Sequence, residues 1–600
     1  MNIVICTTPI RPEPTSYPPF GPMALIQSLR LKGYDPYFYD IDGLRPKFEE
    51  VLSFISTRQP DILAISAVVS TAYAYTKRLS LAVKSLSPNT KIVVGGNLAA
   101  SAEILHRFCE IDICAIGEGE NVIVNLVKYW ESKTSDKDLS ILKAIKGISF
   151  LDNNDHMVFT GYDTPISASN FLDPDWTILE QYSRIENYIT DPMDRYEFAQ
   201  DVRSYDTHRK GKKMATVVTA KGCVARCTFC HRWDRGYRHW EVDRIVNKMK
   251  YLMDRYDVGF FAWGDENFGS DRRKLNAFLD EITPLNILYN SAGVRVASVD
   301  PEILKQMYES GCVSIYYGME TGSPTILNVM EKNTNLQRNI DATKWTYDAG
   351  LYTIYQMVLG MPGENHTTIK ETTEFIKNAT KFLPEPPHKR LSINYIQALP
   401  GTPVYEYARN TGALGNTLES EEDYLLSISD INASDDKKFL NFTEYPYFTV
   451  QAWRRKIVFD AETNWYRNNN WQKYDFVPQA AELAGQMPDT EADEDYRRGG
   501  YFNLGHTMVR HPLFYKILSK KFAAPIRSVY PLLIVLLQDF KSLSKKQFFG
   551  YLIEYVLHIT GIRRKTGLRE ERSLRQVMKD RTTDPETQSE ESMLPLRLGR

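Results

Sequence analysis

From Met214 onward six short apolar runs follow one another: Ala215–Ala220, Gly259–Trp263, Ile287–Asn290, Val313–Tyr317, Thr353–Leu359 and Leu391–Ala398. Helical stretches such as Glu241–Tyr256 and Pro301–Glu309 separate them. A strand that is apolar along its whole length is covered on both faces, and the helix after it is the crossover that a parallel neighbour requires. Six such βα units predict a partial (β/α)6 barrel, an open relative of the TIM-type barrel, with its chemistry at the carboxyl ends of the strands. The start of the chain carries the same pattern. There Asn2–Cys6, Pro36–Asp40, Asp61–Ser66, Lys91–Gly95 and Ile111–Gly117 read as the strands of a doubly wound, Rossmann-like α/β domain over residues 1–131. Its ligand edge again lies beyond the strands' carboxyl ends.

Directly after the first barrel run, Lys221–Trp233 reads KGCVARCTFCHRW, so Cys223, Cys227 and Cys230 form a C-x3-C-x2-C triplet. Thiolate sulfur suits iron–sulfur clusters and zinc, but a closed site of either kind wants four ligands, and no fourth Cys lies nearby. The triplet therefore predicts a thiolate-ligated metal site with one position open. A structural zinc loop completed by His231 or His239 is the alternative that the spacing leaves standing. The other four Cys, at 6, 109, 114 and 312, are scattered in apolar surroundings, as in a reducing compartment rather than a disulfide framework.

The triplet at the end of a first barrel strand resembles the signature of the radical S-adenosylmethionine (SAM) superfamily. That resemblance implies that Cys223, Cys227 and Cys230 hold a four-iron–four-sulfur cluster, that the amino and carboxylate groups of SAM occupy its fourth iron, and that Phe229 lies near the adenine. Later turns resemble the same family. After strand two, Gly264-Asp265-Glu266-Asn267-Phe268 is similar to its GGE-type motif, so Gly264, Asp265 and Glu266 would bind the SAM amino group, an ammonium beside an acidic pair. By the same resemblance Arg295 would meet the SAM carboxylate, Glu320 in the turn Gly318–Gly322 the ribose and methionine, and Gly360 in the turn Gly360–Glu364 the adenine.

The N-terminal domain resembles the cobalamin-binding domain that precedes many radical SAM enzymes. In that domain a PPLG-type segment, a GG after strand four and a GEGE after strand five recur; here they read PPFG, GGN and GEGE. The resemblance implies cobalamin contacts from Pro19, Gly21, Ser66, Gly95, Gly96, Gly117 and Glu118, where small residues let a flat ligand approach the backbone. The chain lacks the D-x-H-x-x-G of methionine-synthase-like domains, because Tyr39–Leu44 reads YDIDGL and offers no His to the lower face of cobalt. Over residues 1–131 and a core at 212–411 the chain is similar to class B radical SAM methyltransferases. This implies methylation of an unactivated carbon, or of a phosphinate phosphorus, in a small metabolite by 5′-deoxyadenosyl radical chemistry, with an electron donor such as flavodoxin or ferredoxin. The same cofactors serve oxidative cyclases and rearrangement enzymes, and an iron–sulfur sensor without turnover is a more distant reading. No catalytic residue is assigned.

Residues 132–211 read as a connector, with Phe171–Tyr182 (FLDPDWTILEQY) anchoring it on its neighbours; residues 412–562 read as a mainly helical C-terminal domain, and 563–600, charged and polar, as a disordered tail. Trp453, Trp465, Tyr466, Trp471 and Tyr474 read either as core or as the lining of a substrate cavity. With a net charge of −2 the chain has no basic field for nucleic acid. Met1–Cys6 runs into a strand without a signal-peptide pattern, which makes a cytoplasmic location the expectation. The run Tyr530–Leu537 is too short to cross a bilayer, which takes about 20 apolar residues, and leaves peripheral membrane contact open.

Overall fold

The computed structural model describes residues 1–132, 139–231, 236–429, 431, 435, 437–469, 524–562 and 570–577. Two largely parallel sheets, each flanked by helices, dominate it. In the first, β1 (Ile3–Thr7), β2 (Tyr37–Tyr39), β3 (Ile62–Ser66), β4 (Lys91–Gly95) and β5 (Ile113–Ala115) pair in parallel in the order β2-β1-β3-β4-β5. β1 is buried at every position, which is why Ile3–Cys6 is apolar throughout. The order of strands reverses between β1 and β3, so the crevice of this sheet opens beyond their carboxyl ends. The four cysteines outside the triplet are all buried, Cys6, Cys109 and Cys114 in this domain and Cys312 in the barrel.

The connector is divided between the two sheets. β6 (Ile148–Leu151) and β7 (Met157–Phe159) extend the first sheet as an antiparallel hairpin on β5, and β8 (Ile189–Thr190) is an antiparallel edge of the second. Strands of two to four residues are too short to show a period, so these additions left no pattern in the sequence. Phe171 and Trp176 do anchor the segment: both are buried, and the Phe171 ring lies 4.3 Å from that of Trp240.

The barrel sheet begins with β9 (Lys213–Val217), followed in the chain by a small ladder of β10 (Ala220–Lys221) and β11 (Arg238–His239). β12 (Val258–Trp263), β13 (Leu288–Val294), β14 (Cys312–Glu320), β15 (Tyr352–Leu359) and β16 (Leu391–Tyr395) complete it in sequence order. Beyond it, the helix Tyr447–Asn468 packs against the barrel helix His366–Thr380, with Trp453, Trp465 and Tyr466 buried as core. Trp471 and Tyr474 lie outside the described residues. The helices Ala524–Ser542 and Lys545–Ile559 rest on Tyr447–Asn468 through Val535 and Phe548. No helix among the described residues is long and apolar enough to cross a membrane.

Residues 570–577, expected within a disordered tail, are packed. Leu574 and Val577 are 0% and 3% exposed in a cluster with Ile326, Met330 and Met361. Two apolar anchors in a charged stretch were invisible to composition. The rest of 563–600 lies outside the described residues.

The turn after β4 makes a direct test of which glycines this architecture needs. Gly96 has φ +82°, and a Cβ there would lie 2.4 Å from the Ala67 carbonyl oxygen, whereas Gly21, in the helix Phe20–Arg30, has nothing within 4 Å. Gly96→Ala should lower stability by about 2–4 kcal/mol. Gly21→Ala should leave it unchanged or raise it by about 0.5–1 kcal/mol, as Ala does in a helix. Denaturant unfolding of the two variants checks the contrast.

Candidate functional site

The cysteine loop leaves the end of β9 and is held at both ends. At its start, Asp265, just past β12, reaches across: its Oδ1 accepts from Thr219 N at 2.8 Å, Thr219 Oγ1 at 3.1 Å and Ala220 N at 2.5 Å. Further on, the fully buried Thr228 donates its N–H to Met330 O and its hydroxyl to Val329 O, both at 2.9 Å, and its carbonyl accepts from Val404 N at 3.0 Å. Cys227 is buried, Cys223 is half-buried with its Sγ accepting from Ala225 N at 3.4 Å, and Cys230 is exposed. Phe229 packs on the apolar cluster of Ile326, Met330, Met361 and Ile396. Among the described residues no three His, Cys, Asp or Glu side chains gather round one point. A four-iron cluster would take each thiolate on a separate iron. His239, one of the residues offered to zinc, turns its Nδ1 to Trp240 O at 2.5 Å.

The turn after β12 presents unsatisfied polar atoms. Among the described residues Oδ2 of Asp265 is buried without a hydrogen-bond partner, and burial pushes the pKa of this carboxyl up to about 7. Both amide atoms of Asn267, 1% exposed, are likewise buried without a hydrogen-bond partner. Orphaned buried acceptors cost free energy until a donor arrives, and an ammonium group is the donor that suits a carboxylate. These atoms fit the amino group of SAM. Gly264 is already engaged at its carbonyl, which accepts from Tyr17 Oη at 2.7 Å, and Glu266 is exposed.

The ends of β13, β14 and β15 bring the remaining barrel residues into place. Glu320, at φ +65°, pairs with Lys332 at 2.6 Å, and their side chains are only 9% and 13% exposed. Gly318 leaves room for the pair, since a Cβ there would lie 2.4 Å from Glu320 Oε1. Burial pulls the Lys332 ammonium down, but Glu320 and the nearby Cys227 and Cys230 outweigh it and hold its pKa above the ordinary value. A lysine cation thus stands beside two of the three cysteines. Arg295 joins this group, its Nη2 donating to Lys332 O at 3.3 Å. Gly360, at φ +89°, donates its N–H to Glu364, a buried carboxyl that burial pushes up to about 8.

The carboxyl edge of the first sheet meets this end of the barrel. Tyr17 bridges the two, and Pro19 caps the helix that follows. Ser66 and Gly95 are half-buried, Gly96 is exposed, and neither Gly21 nor Gly117, at φ +103°, has an atom within 4 Å of where a Cβ would sit. This open, small-residue edge at the switch point fits a broad flat group such as a corrin. Glu118 is placed otherwise than expected. Its carboxylate accepts from Arg238 on one oxygen and from Ile166 N at 2.6 Å on the other. Burial would raise its pKa, but these bonds outweigh burial and hold it below the ordinary range. Glu118 therefore clamps the two halves together, with Glu120 pairing with Lys221 at 2.7 Å beside it. In the YDIDGL segment, Asp40 accepts from Thr7 Oγ1 at 2.8 Å and Tyr188 Oη at 2.5 Å, and Asp42 from Thr15 N at 3.1 Å. These carboxylates are spent on structure.

Sequence reasoning missed Lys332, Asn267, Glu364 and the bridging role of Tyr17. Asn267 and Glu364 stand inside turns already singled out, and their burial was the missing signal. Lys332 comes twelve residues after Glu320, beyond the helix Pro324–Val329, and nothing local marks it.

Residues 217–376 match the radical SAM superfamily model, and residues 14–127 match the B12 binding domain model. The chain is 30% identical to the anaerobic magnesium-protoporphyrin IX monomethyl ester cyclase of Cereibacter sphaeroides, over 60% of this chain and 56% of the cyclase, so it spans just over half of that relative's length. It is 27% identical to an uncharacterized methyltransferase of Pyrococcus horikoshii, over 66% of this chain and 79% of that protein. Among solved structures, the cobalamin-dependent SAM radical enzyme OxsB, with aqua-cobalamin and SAM bound, has the same fold. It superposes with a TM-score of 0.56 at 15% identity, covering 99% of this chain and 82% of that one.

The buried acids give this site a pH signature. Asp265 and Glu364 have folded pKa values of about 7 and about 8, above the ordinary 3.8 and 4.5. The folded state therefore binds these protons more tightly than the unfolded chain does. Their contribution to stability is full below about pH 4 and is lost as pH rises through 7 and 8. Cofactor-free protein should lose stability across this window, by at most about 1.4 kcal/mol per pH unit for each group. Asp265→Asn keeps an acceptor for Thr219 and Ala220 and should flatten the part of the slope below pH 7, as thermal unfolding between pH 5 and 8 would reveal.

Proposed function

We propose that this chain, which carries a B12-binding domain followed by a radical SAM domain, methylates an unactivated carbon or a phosphinate phosphorus of a small molecule. Its cofactors are a four-iron–four-sulfur cluster, SAM and cobalamin, which together supply radical and methyl-transfer chemistry that protein side chains lack. The observation that carries the reading is the meeting of two carboxyl edges. Tyr17, from the turn after β1, donates to the carbonyl of Gly264, in the turn after β12, so the open edge suited to a corrin stands over the turn suited to the SAM amino group.

In this reading Cys223, Cys227 and Cys230 hold the cluster, and Lys332 keeps a positive charge beside two of those thiolates. Asp265 Oδ2 and Asn267 receive the amino group of SAM, Arg295 its carboxylate, and Phe229 one side of its adenine. Glu118, Arg238, Glu120 and Lys221 hold the two edges in register and exclude water between them. A small one-electron donor such as flavodoxin or ferredoxin would supply the electron. The exposed apolar side chains of Leu533, Leu537 and Phe540 support peripheral contact with a lipid surface.

The match to a methyltransferase over 79% of its length supports methyl transfer. Oxidative cyclisation is the second reading, favoured by the 30% identity to a cyclase. Anaerobically reconstituted protein given methyl-labelled SAM and candidate substrates separates the two: label in product supports methylation, and 5′-deoxyadenosine formed without label transfer sinks it in favour of cyclisation or rearrangement. Replacing all three cysteines of the triplet with Ala should bring bound iron to near zero, and a full complement of iron in that variant would refute the cluster assignment.

A further inference from the structure

Residues 570–577 lie against the cysteine loop, and the proposed function leaves them without a role. Asn328 Nδ2 donates to Glu571 O at 2.8 Å, and Gly363, at φ +89°, is so close that a Cβ there would lie 2.0 Å from Glu570 O. Ser573 donates its hydroxyl to Glu331. Arg575, with its side chain 12% exposed, makes two contacts through Nη1: it donates to the carbonyl of Arg226 and, at 2.8 Å, to Glu331 Oε2. Both partners adjoin the cluster site. Arg226 immediately precedes Cys227, and Glu331 immediately precedes Lys332, the cation beside Cys227 and Cys230.

Between Cys223 and Cys227 the loop belongs to no strand or helix, and Val224 and Arg226 are exposed. A hydrogen bond from a guanidinium to the Arg226 carbonyl therefore restrains backbone that regular structure does not. Glu331, at φ +50°, sits in a conformation that side chains rarely adopt, and the strap contacts it through both Ser573 and Arg575. Leu574, 0% exposed between these two polar contacts, packs with Ile326, Met330 and Met361 in one apolar cluster.

We propose that Arg575 is a positioning residue of the cluster site. The C-terminal strap that carries it clamps the cysteine loop from outside and sets how firmly the cluster is held. The clamp joins segments far apart in sequence, so the cluster site is complete only when residues 570–577 have docked. This rests on the assignment of Cys223, Cys227 and Cys230 to a four-iron cluster.

The test uses the full chain after anaerobic reconstitution, as wild type, Arg575→Ala and Arg575→Lys. Two quantities are read: amide hydrogen exchange in residues 223–230, with β3 as an internal reference, and the rate of iron release to an excess of a ferrous chelator. In Arg575→Ala, exchange in 223–230 and iron release should each rise about tenfold while β3 is unchanged, the effect of losing a charge-assisted hydrogen bond. Arg575→Lys keeps a charge for Glu331 but lacks the planar fork, and should fall between the two. Wild-type exchange and wild-type iron release in Arg575→Ala overturn the proposal. Were β3 to exchange faster as well, the fold would have been lost, and Arg575→Lys decides, since wild-type values there overturn it too. A wild type that holds no iron, with faster 223–230 exchange in Arg575→Ala, keeps the clamp and brings down the cluster assignment instead.

Discussion

One carboxylate oxygen, Oδ1 of Asp265, joins the exits of β9 and β12 through three hydrogen bonds, and the start of the cysteine loop hangs from it. Along their length parallel strands satisfy one another's backbone groups, but at their carboxyl ends the ladder runs out just where a ligand must be approached. The N–H groups of Thr219 and Ala220 would be left without partners there, and a buried N–H without a partner is costly. Asp265 supplies the missing acceptor. The cost falls on its second oxygen, which is buried without a partner among the described residues.

The other half of the molecule lands on the same place. Lys221 and Arg238 face each other in the β10–β11 ladder, and they pair with Glu120 and Glu118 from the turn after β5. The ladder that launches the cysteine loop is therefore also the landing surface of the N-terminal domain. Largely buried ion pairs add little net stability, because desolvation offsets much of the attraction. Their contribution is orientation: the pairs are satisfied in one docking geometry, and that geometry places Tyr17 over Gly264. Residues 409–422 add further ties to the N-terminal domain. Glu422 accepts from Tyr73 Oη at 2.7 Å and pairs with Lys77, and Arg409 reaches Glu103 at 3.1 Å and also pairs with Glu421.

Both sheets, their parallel strands and the ends that carry the ligand turns were legible in the sequence. The reason is that a strand covered on both faces is apolar along most of its length, so β1, β3 and β12 could be found from hydrophobicity. The cysteine triplet was legible because ligand spacing in one loop is local. Asp265 and Gly360 stand directly after a strand and Glu320 closes one, which is why the sequence could single these positions out. Lys332 and Arg575 carry no such mark, since each reaches the site from another part of the chain.

The sequence by itself thus determined which chemistry the chain can carry, since residue types and short-range spacing decide ligand sets and strand burial. Only the tertiary structure decided how the acids of the turns are used. Glu118 and Asp265 are both acidic residues in glycine-rich turns after parallel strands, and no local rule separates them. Glu118 meets Arg238 and the Ile166 N–H, so both its oxygens are satisfied and it becomes a clamp. Asp265 meets two backbone N–H groups and a hydroxyl on one oxygen only, so the other stays buried without a partner among the described residues. The difference lies in which donors the fold brings within about 3 Å of each oxygen, and hydrogen bonds of that length are set by contacts between residues far apart in sequence.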